Sequence, residues 1–262
     1  MANALKSLWR QGGTAHGAWL SIPSSVSAEV VARAGFDYVC VDMQHGLVDY
    51  SDAVALLQAI NLGASSPVVR VPWNEPGIIG KVLDAGAMSV IVPMVNSPVE
   101  ARAAVAACRY APQGARSFGP LRAFMQEGGS YYASANAEVA CIPMIETKQA
   151  VENIDAILDV PGIDAVYVGP ADLSITLGLP PGNNDDRPEF SAALTRIVAA
   201  CTSRGIVPGI HASAALAARR REMGFRMVTV SADQQALGDG VRADLKLARS
   251  GGAASGDAKR VY

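Results

Sequence analysis

Residues 67–94 read PVVRVPWNEPGIIGKVLDAGAMSVIVPM. An apolar run, PVVRVPW, gives way to a stretch with helical spacing, EPGIIGKVLDAG, which closes on glycine and leads straight into a second apolar run, MSVIVPM. Continuous Val/Ile strands on either side of a helix are the pattern of a parallel pair joined by a crossover and covered on both faces. The alternation extends in both directions. HGAWLSI, DYVCVDM, VACIPMI, DAVYVG, IVPGIH and RMVTVSA bring the strand-like runs to eight, and helical stretches such as YSDAVALLQAINLG and FSAALTRIVAACTSRG lie between them. Eight such units in about 250 residues predict an α/β fold of the closed (β/α)8 barrel type. A doubly wound sheet is the runner-up. It wants a phosphate-binding glycine turn after its first strand, where this chain has PSSVSAE. The barrel is expected as a single domain over residues 1–250, with 251–262 a flexible Gly/Ala/Ser-rich tail.

The 262-residue chain is 50% hydrophobic with a net charge of -2, so it can bury a large core and shows no basic footprint for nucleic acid. No apolar stretch reaches the roughly 20 residues of a spanning helix, and the start, MANALKSLWRQGG, lacks a secretory h-region. A cytoplasmic location is the default. Cys40, Cys108, Cys141 and Cys201 show no CxxC spacing and read as buried thiols. Two connections exceed the plain repeat: RYAPQGARSFGPLRAFMQEGGSYYASANAE before the fifth strand and LSITLGLPPGNNDDRPEF after the sixth. Both are expected at the C-terminal face of the strands, where barrel enzymes build their sites.

Strand ends therefore decide the chemistry. The second ends in Asp42, Gln44 and His45, the third in Arg70, the fifth in Glu146, the sixth in Gly169, Pro170 and Asp172, the seventh in His211, and the eighth in Ser231 and Asp233. A guanidinium inside a strand persists only beside an anion, so Arg70 is either half of a salt bridge or a binder of a carboxylate or oxyanion. Glu146 and Asp172 converge from neighbouring strands and repel unless one is protonated or a cation lies between them. With oxygen donors alone the cation would be Mg2+ or Mn2+; the alternative is a metal-free acid/base pair. His45 is either a packed histidine or a proton acceptor beside that pair.

VDMQHG, VVRVPWNEP, KVLDAG, PMIET, GIDAVYVGPADLS and VTVSAD together resemble the class II (metal-dependent) pyruvate aldolase family, which includes 4-hydroxy-2-oxoheptane-1,7-dioate and 2-keto-3-deoxy sugar-acid aldolases. The resemblance runs over roughly residues 5–248. It implies a barrel of the phosphoenolpyruvate/pyruvate superfamily, a divalent ion (Mg2+, Mn2+ or Co2+), and reversible cleavage of a 4-hydroxy-2-oxo acid to pyruvate, or an analogue such as hydroxypyruvate, and an aldehyde. It further implies Glu146 and Asp172 as metal ligands, His45 as the base acting through bound water, and Arg70 on the keto oxygen. The backbone N–H groups of Ala171 and Asp172 match the pyruvate carboxylate site. Asp42 and Asp84 match acidic positions near the histidine, either of which could orient it. A homohexamer in which the last helix packs on a neighbour is also implied.

Three positions depart from the family pattern: Gln44 where Glu is common, Met144 where Gln is common, and His211 where an apolar residue is frequent. His211 either touches the aldehyde or packs behind it; Arg122, in SFGPLRAF, either recognises a distal carboxylate or rims the pocket. Two other functions stay open: a malyl- or citramalyl-CoA lyase, for which no cluster of basic residues is placed, and a non-catalytic subunit binding pyruvate-like ligands.

Overall fold

The computed structural model describes residues 2–250. Its strands are β1 (Ala15–Leu20), β2 (Tyr38–Asp42), β3 (Ser66–Arg70), β4 (Ser89–Val92), β5 (Ala140–Pro143), β6 (Ala165–Val168), β7 (Val207–His211) and β8 (Met227–Ala232). They pair in parallel in the order β5-β4-β3-β2-β1-β8-β7-β6. The seam between β5 and β6 closes through a Met144–Tyr167 bridge, with Ile145 N–H donating to Tyr167 O at 2.9 Å. The (β/α)8 barrel expected from the alternation is the fold found.

Strand period two sorts the side chains into two cores. On β2, Val39 and Val41 face the helices, while Tyr38 and Cys40 face the barrel interior. On β6, Val166 and Val168 face outward, and Ala165 and Tyr167 inward. The interior is filled rather than hollow: a Cβ on Gly17 of β1 would meet the Tyr38 ring at 2.1 Å, so only glycine admits that ring. The same alternation carries the inward face of each strand to the mouth, ending on Trp19, Asp42, Arg70, Glu146, Gly169 and His211. All four cysteines are buried and free.

The N-terminal residues, unassigned in the sequence, form a helix, Ala4–Arg10, that plugs the opposite end of the barrel. Asn3 caps it by accepting from Leu5 and Lys6 N–H and ties it down by donating to Met88 O (2.9 Å) and Glu138 O (2.9 Å). Leu5 and Trp9 join the interior core.

The long connection before β5 corrects an expectation. It leaves the far end of the helix Pro98–Cys108 and returns through the helices Leu121–Glu127 and Tyr131–Glu138, so it lies at the N-terminal end of the barrel and not at the mouth. Its polar groups show this: Tyr110 N–H donates to Asn136 Oδ1 (2.7 Å), and Lys6 Nζ to Ala137 O (2.6 Å). The excursion after β6 does reach the mouth. ETKQAVENIDAILDV, whose spacing suits a single helix, forms two, Lys148–Glu152 and Ile154–Leu158, with Asn153 between them donating to Asn96 O at 2.8 Å. The last element among the described residues is the helix Asp233–Arg249; the tail expected at 251–262 lies outside them.

Candidate active site

Asp42 and Arg70 are directly opposed in the β2–β3 register, and alternation turns both inward. They form a bidentate pair, Arg70 Nε to Asp42 Oδ1 at 2.8 Å and Nη2 to Oδ2 at 2.6 Å. Asp42 also accepts from Trp19 Nε1 (3.0 Å) and from the backbone N–H of Gln44 (3.0 Å) and His45 (3.3 Å). Burial alone would push this carboxyl up; Arg70 and the other donors outweigh it and hold it below the usual range. Asp42 thus holds the turn that carries His45 through the main chain, not through the ring. The His45 imidazole is exposed and has no hydrogen-bond or ionic partner among the described residues. Gln44 keeps a buried side-chain oxygen without a partner.

Glu146 sits 1% exposed just past β5. Its Oε1 accepts from Met94 N–H at 2.7 Å; Met94 adopts φ 55°, a strained left-handed conformation for a side chain of that size, and this aims its N–H at the carboxylate. Burial, with the added charge of Asp172, pushes Glu146 up to about 7 despite Met94 N–H and Arg70. A Cβ on Gly169 would fall 2.3 Å from Glu146 Oε2, so glycine there leaves the carboxylate its room. Asp172 stands in the first turn of the helix Pro170–Thr176, whose start Pro170 pre-sets.

These groups share a cleft of about 280 Å3 lined by Trp19, His45, Arg70, Met144, Glu146, Tyr167, Gly169, Pro170, Ala171, Asp172, Gly182, Asn183 and His211. Among the described residues no three His, Cys, Asp or Glu side chains converge as a metal cage. Glu146 and Asp172 offer hard oxygen donors whose mutual repulsion a cation would relieve, which fits an ion that keeps water and substrate in its other positions. His211 places its ring edge-on to Trp19 (centroids 5.1 Å) and its Nδ1 3.4 Å from Tyr167 Oη. Burial first, and then Arg70, lower it to about 4, so it is neutral at neutral pH.

Two residues expected at the site are elsewhere in this chain. Asp84 ends the helix Pro76–Asp84 at the plugged end of the barrel and pairs with Arg116 Nη2 at 2.7 Å, so within one chain it does not orient His45. Arg122 donates to Ala85 O at 2.5 Å at that same end, away from any substrate in the cleft. Asp233 serves structure: its carboxylate accepts from Ser21 N–H (3.0 Å) and Ile22 N–H (3.1 Å). Sequence reasoning missed Trp19, Tyr167 and Asn183. The signal for the first two was present, since period two from Gly17 and Ala165 carries Trp19 and Tyr167 inward near the strand ends; Asn183 is placed only by how the excursion folds back.

The HpcH/HpaI aldolase/citrate lyase family profile matches residues 16–239. The chain is 38% identical over 249 residues to a hydroxypyruvate/pyruvate aldolase of Rhizorhabdus wittichii, covering 95% of this chain and 99% of that one. It is 40% identical over 247 residues to a 4-hydroxy-2-oxo-heptane-1,7-dioate aldolase of Salmonella heidelberg, covering 93% of each. Among solved structures, an HpcH/HpaI aldolase/citrate lyase family protein from Burkholderia cenocepacia superposes with a TM-score of 0.88 at 36% identity, over 95% of this chain and 100% of that one. The fold, the converging strand ends and these likenesses together establish that the chain belongs to the HpcH/HpaI aldolase/citrate lyase family.

Proposed function

We propose that this chain is an aldolase that reversibly cleaves a 4-hydroxy-2-oxo acid to pyruvate, or an analogue such as hydroxypyruvate, and an aldehyde. The observation that carries the reading is the convergence of Arg70, the Glu146–Asp172 pair and the unpartnered His45 on one cleft. The names of the relatives point the same way.

Glu146 and Asp172 would hold the divalent ion, Mg2+, Mn2+ or Co2+, which when bound supplies positive charge against the developing enolate oxygen. Arg70 spends Nε and one N–H of Nη2 on Asp42, which leaves Nη1 to donate to the 2-oxo oxygen from a guanidinium already fixed in place. The first bond of the helix Pro170–Thr176 is Leu173 N–H to Gly169 O (3.0 Å), so the N–H groups of Ala171 and Asp172 precede the helical ladder and can receive the substrate carboxylate. His45 accepts the C4 hydroxyl proton as the C3–C4 bond breaks and its electrons pass to the 2-oxo oxygen; condensation returns the proton. Among the described residues no lysine lines the cleft, so none there forms a Schiff base.

The protein works on small molecules and, in our reading, in the cytoplasm; no helix among the described residues is long and apolar enough to cross a membrane. A homo-oligomer, a hexamer by family resemblance, is supported by the helix Asp233–Arg249, which exposes Leu237, Val241 and Leu245 at four-residue spacing. The test of the activity is pyruvate methyl-proton exchange in D2O, followed by proton NMR with Mg2+, Mn2+ or Co2+ added. Metal-dependent exchange is expected, and its absence with all three ions overturns the reading.

A further inference from the structure

Three hydroxyls run in file from the barrel interior to the cleft. Tyr38 Oη lies 2.8 Å from Thr229 Oγ1, which lies 2.5 Å from Tyr167 Oη, which in turn reaches His211 Nδ1 at 3.4 Å. Tyr38, Thr229 and Tyr167 are each 0% exposed, so their protons must be shared among themselves and the histidine. Donation in the order Tyr38, Thr229, Tyr167, His211 gives every proton an acceptor, the last being a bare Nδ1. In the reverse order Nδ1–H donates to Tyr167, and the Tyr38 proton is left to share the Tyr167 oxygen that already accepts from the ring. Desolvation by burial raises both phenols far above the usual range, so they stay donors. The His211 ring, kept neutral by burial and by Arg70, then carries its one proton on Nε2.

We infer that Tyr38, Thr229 and Tyr167 are positioning residues that hold His211 as the Nε2–H tautomer, presenting a neutral N–H donor to the acceptor aldehyde. The inference rests on the aldolase reading. A second neutral donor stands nearby: Asn183 Oδ1 accepts from Arg220 Nη2 (2.8 Å), and Arg220, fully buried, is anchored to Asp185 Oδ1 (2.8 Å). That leaves the Asn183 amide NH2 for the cleft. Arg70, the one Lys or Arg lining the cleft among the described residues, is held by Asp42. The acceptor class this favours is an uncharged aldehyde carrying a hydroxyl, such as glycolaldehyde. A distal carboxylate would enter unpaired beside Glu146 and Asp172.

The 262-residue chain has three histidines, so the imidazole signals in a 15N–1H correlation spectrum can be assigned with His211→Gln. The expected result is an Nε2–H tautomer for His211 in the parent protein and in Thr229→Ser, no longer fixed in Tyr167→Phe, which removes the hydroxyl that donates to Nδ1. Kinetically, Tyr167→Phe should lower kcat/KM for glycolaldehyde about tenfold while changing that for propanal less than about twofold, with Thr229→Ser keeping the parent's preference. Pyruvate exchange in D2O uses no acceptor, so its absence in the parent protein would sink the aldolase reading separately. With exchange intact, an Nδ1–H tautomer, or an equal loss for both aldehydes, overturns the inference. Should Tyr167→Phe fail to fold, the parent's own tautomer and its preference for glycolaldehyde over succinic semialdehyde decide: Nε2–H with that preference supports the inference, and either opposite result overturns it.

Discussion

At the plugged end of the barrel Asp164 takes Lys6 Nζ at 2.6 Å and Arg109 Nη2 at 3.0 Å, while Asp84 takes Arg116 Nη2 at 2.7 Å, with the Arg116 guanidinium lying 4.5 Å from the centre of the Tyr110 ring. At the mouth, Arg70 and Asp42 pair in the same way, but the charge of Asp172 adds to burial in raising Glu146, and the His45 ring has no partner among the described residues. Buried charge is therefore common to both ends. What distinguishes the mouth is like charge brought together, because two converging carboxylates repel and cost a fold stability that a purely structural pair would not.

The sharpest way to break this contrast is Glu146→Gln. It should abolish divalent-ion binding in calorimetry and lower kcat by at least about a thousandfold while the fold survives, since it removes a repulsion rather than a pair. His45→Ala should retain metal and pyruvate binding while losing about a hundredfold or more in kcat, as expected for a proton acceptor. The mirror experiment is Asp164→Asn. It leaves the buried Arg109 without its carboxylate and should cost about 3 kcal/mol in urea unfolding, with metal binding retained.

Proton linkage gives two smaller effects. Because Glu146 titrates at about 7, protons compete with the ion, and divalent-ion affinity should weaken up to about tenfold per pH unit below that point; a flat profile from pH 7 to 5 would return Glu146 to an ordinary carboxylate. For His211 the folded value, about 4, lies below the unfolded 6.5. Its contribution is fully present above pH 6.5 and is lost as pH falls towards 4, by about 1–2 kcal/mol once its partial exposure is allowed for. His211→Gln should flatten stability over that window in urea titrations at stepped pH.

Much of the mouth was legible because strand ends are local features. A run such as DYVCVDM announces both the strand and its polar end, and period two decides that Asp42 and not Val41 turns inward. The same rule was enough to place Arg70, Glu146 and His211. It failed for Asp84 and Arg122, which lie on helices and connections, where nothing local says which end of the barrel a residue reaches. It also passed over the N-terminal plug, whose Leu5 and Trp9 fill the barrel from the side away from the site.

The sequence by itself determined the eight-unit barrel, the family and the residues at the strand ends, since hydrophobic period and chain order are properties of neighbouring residues. Only the tertiary structure decided that Asp42 grips Arg70 and the His45 main chain, that Arg122 stands at the far end, and that Tyr38, Thr229 and Tyr167 file toward His211. The last of these joins residues up to 191 positions apart and exists because closing the barrel brings the first strand against the eighth, whereas Asp42 and Arg70 meet across the neighbouring β2–β3 pair.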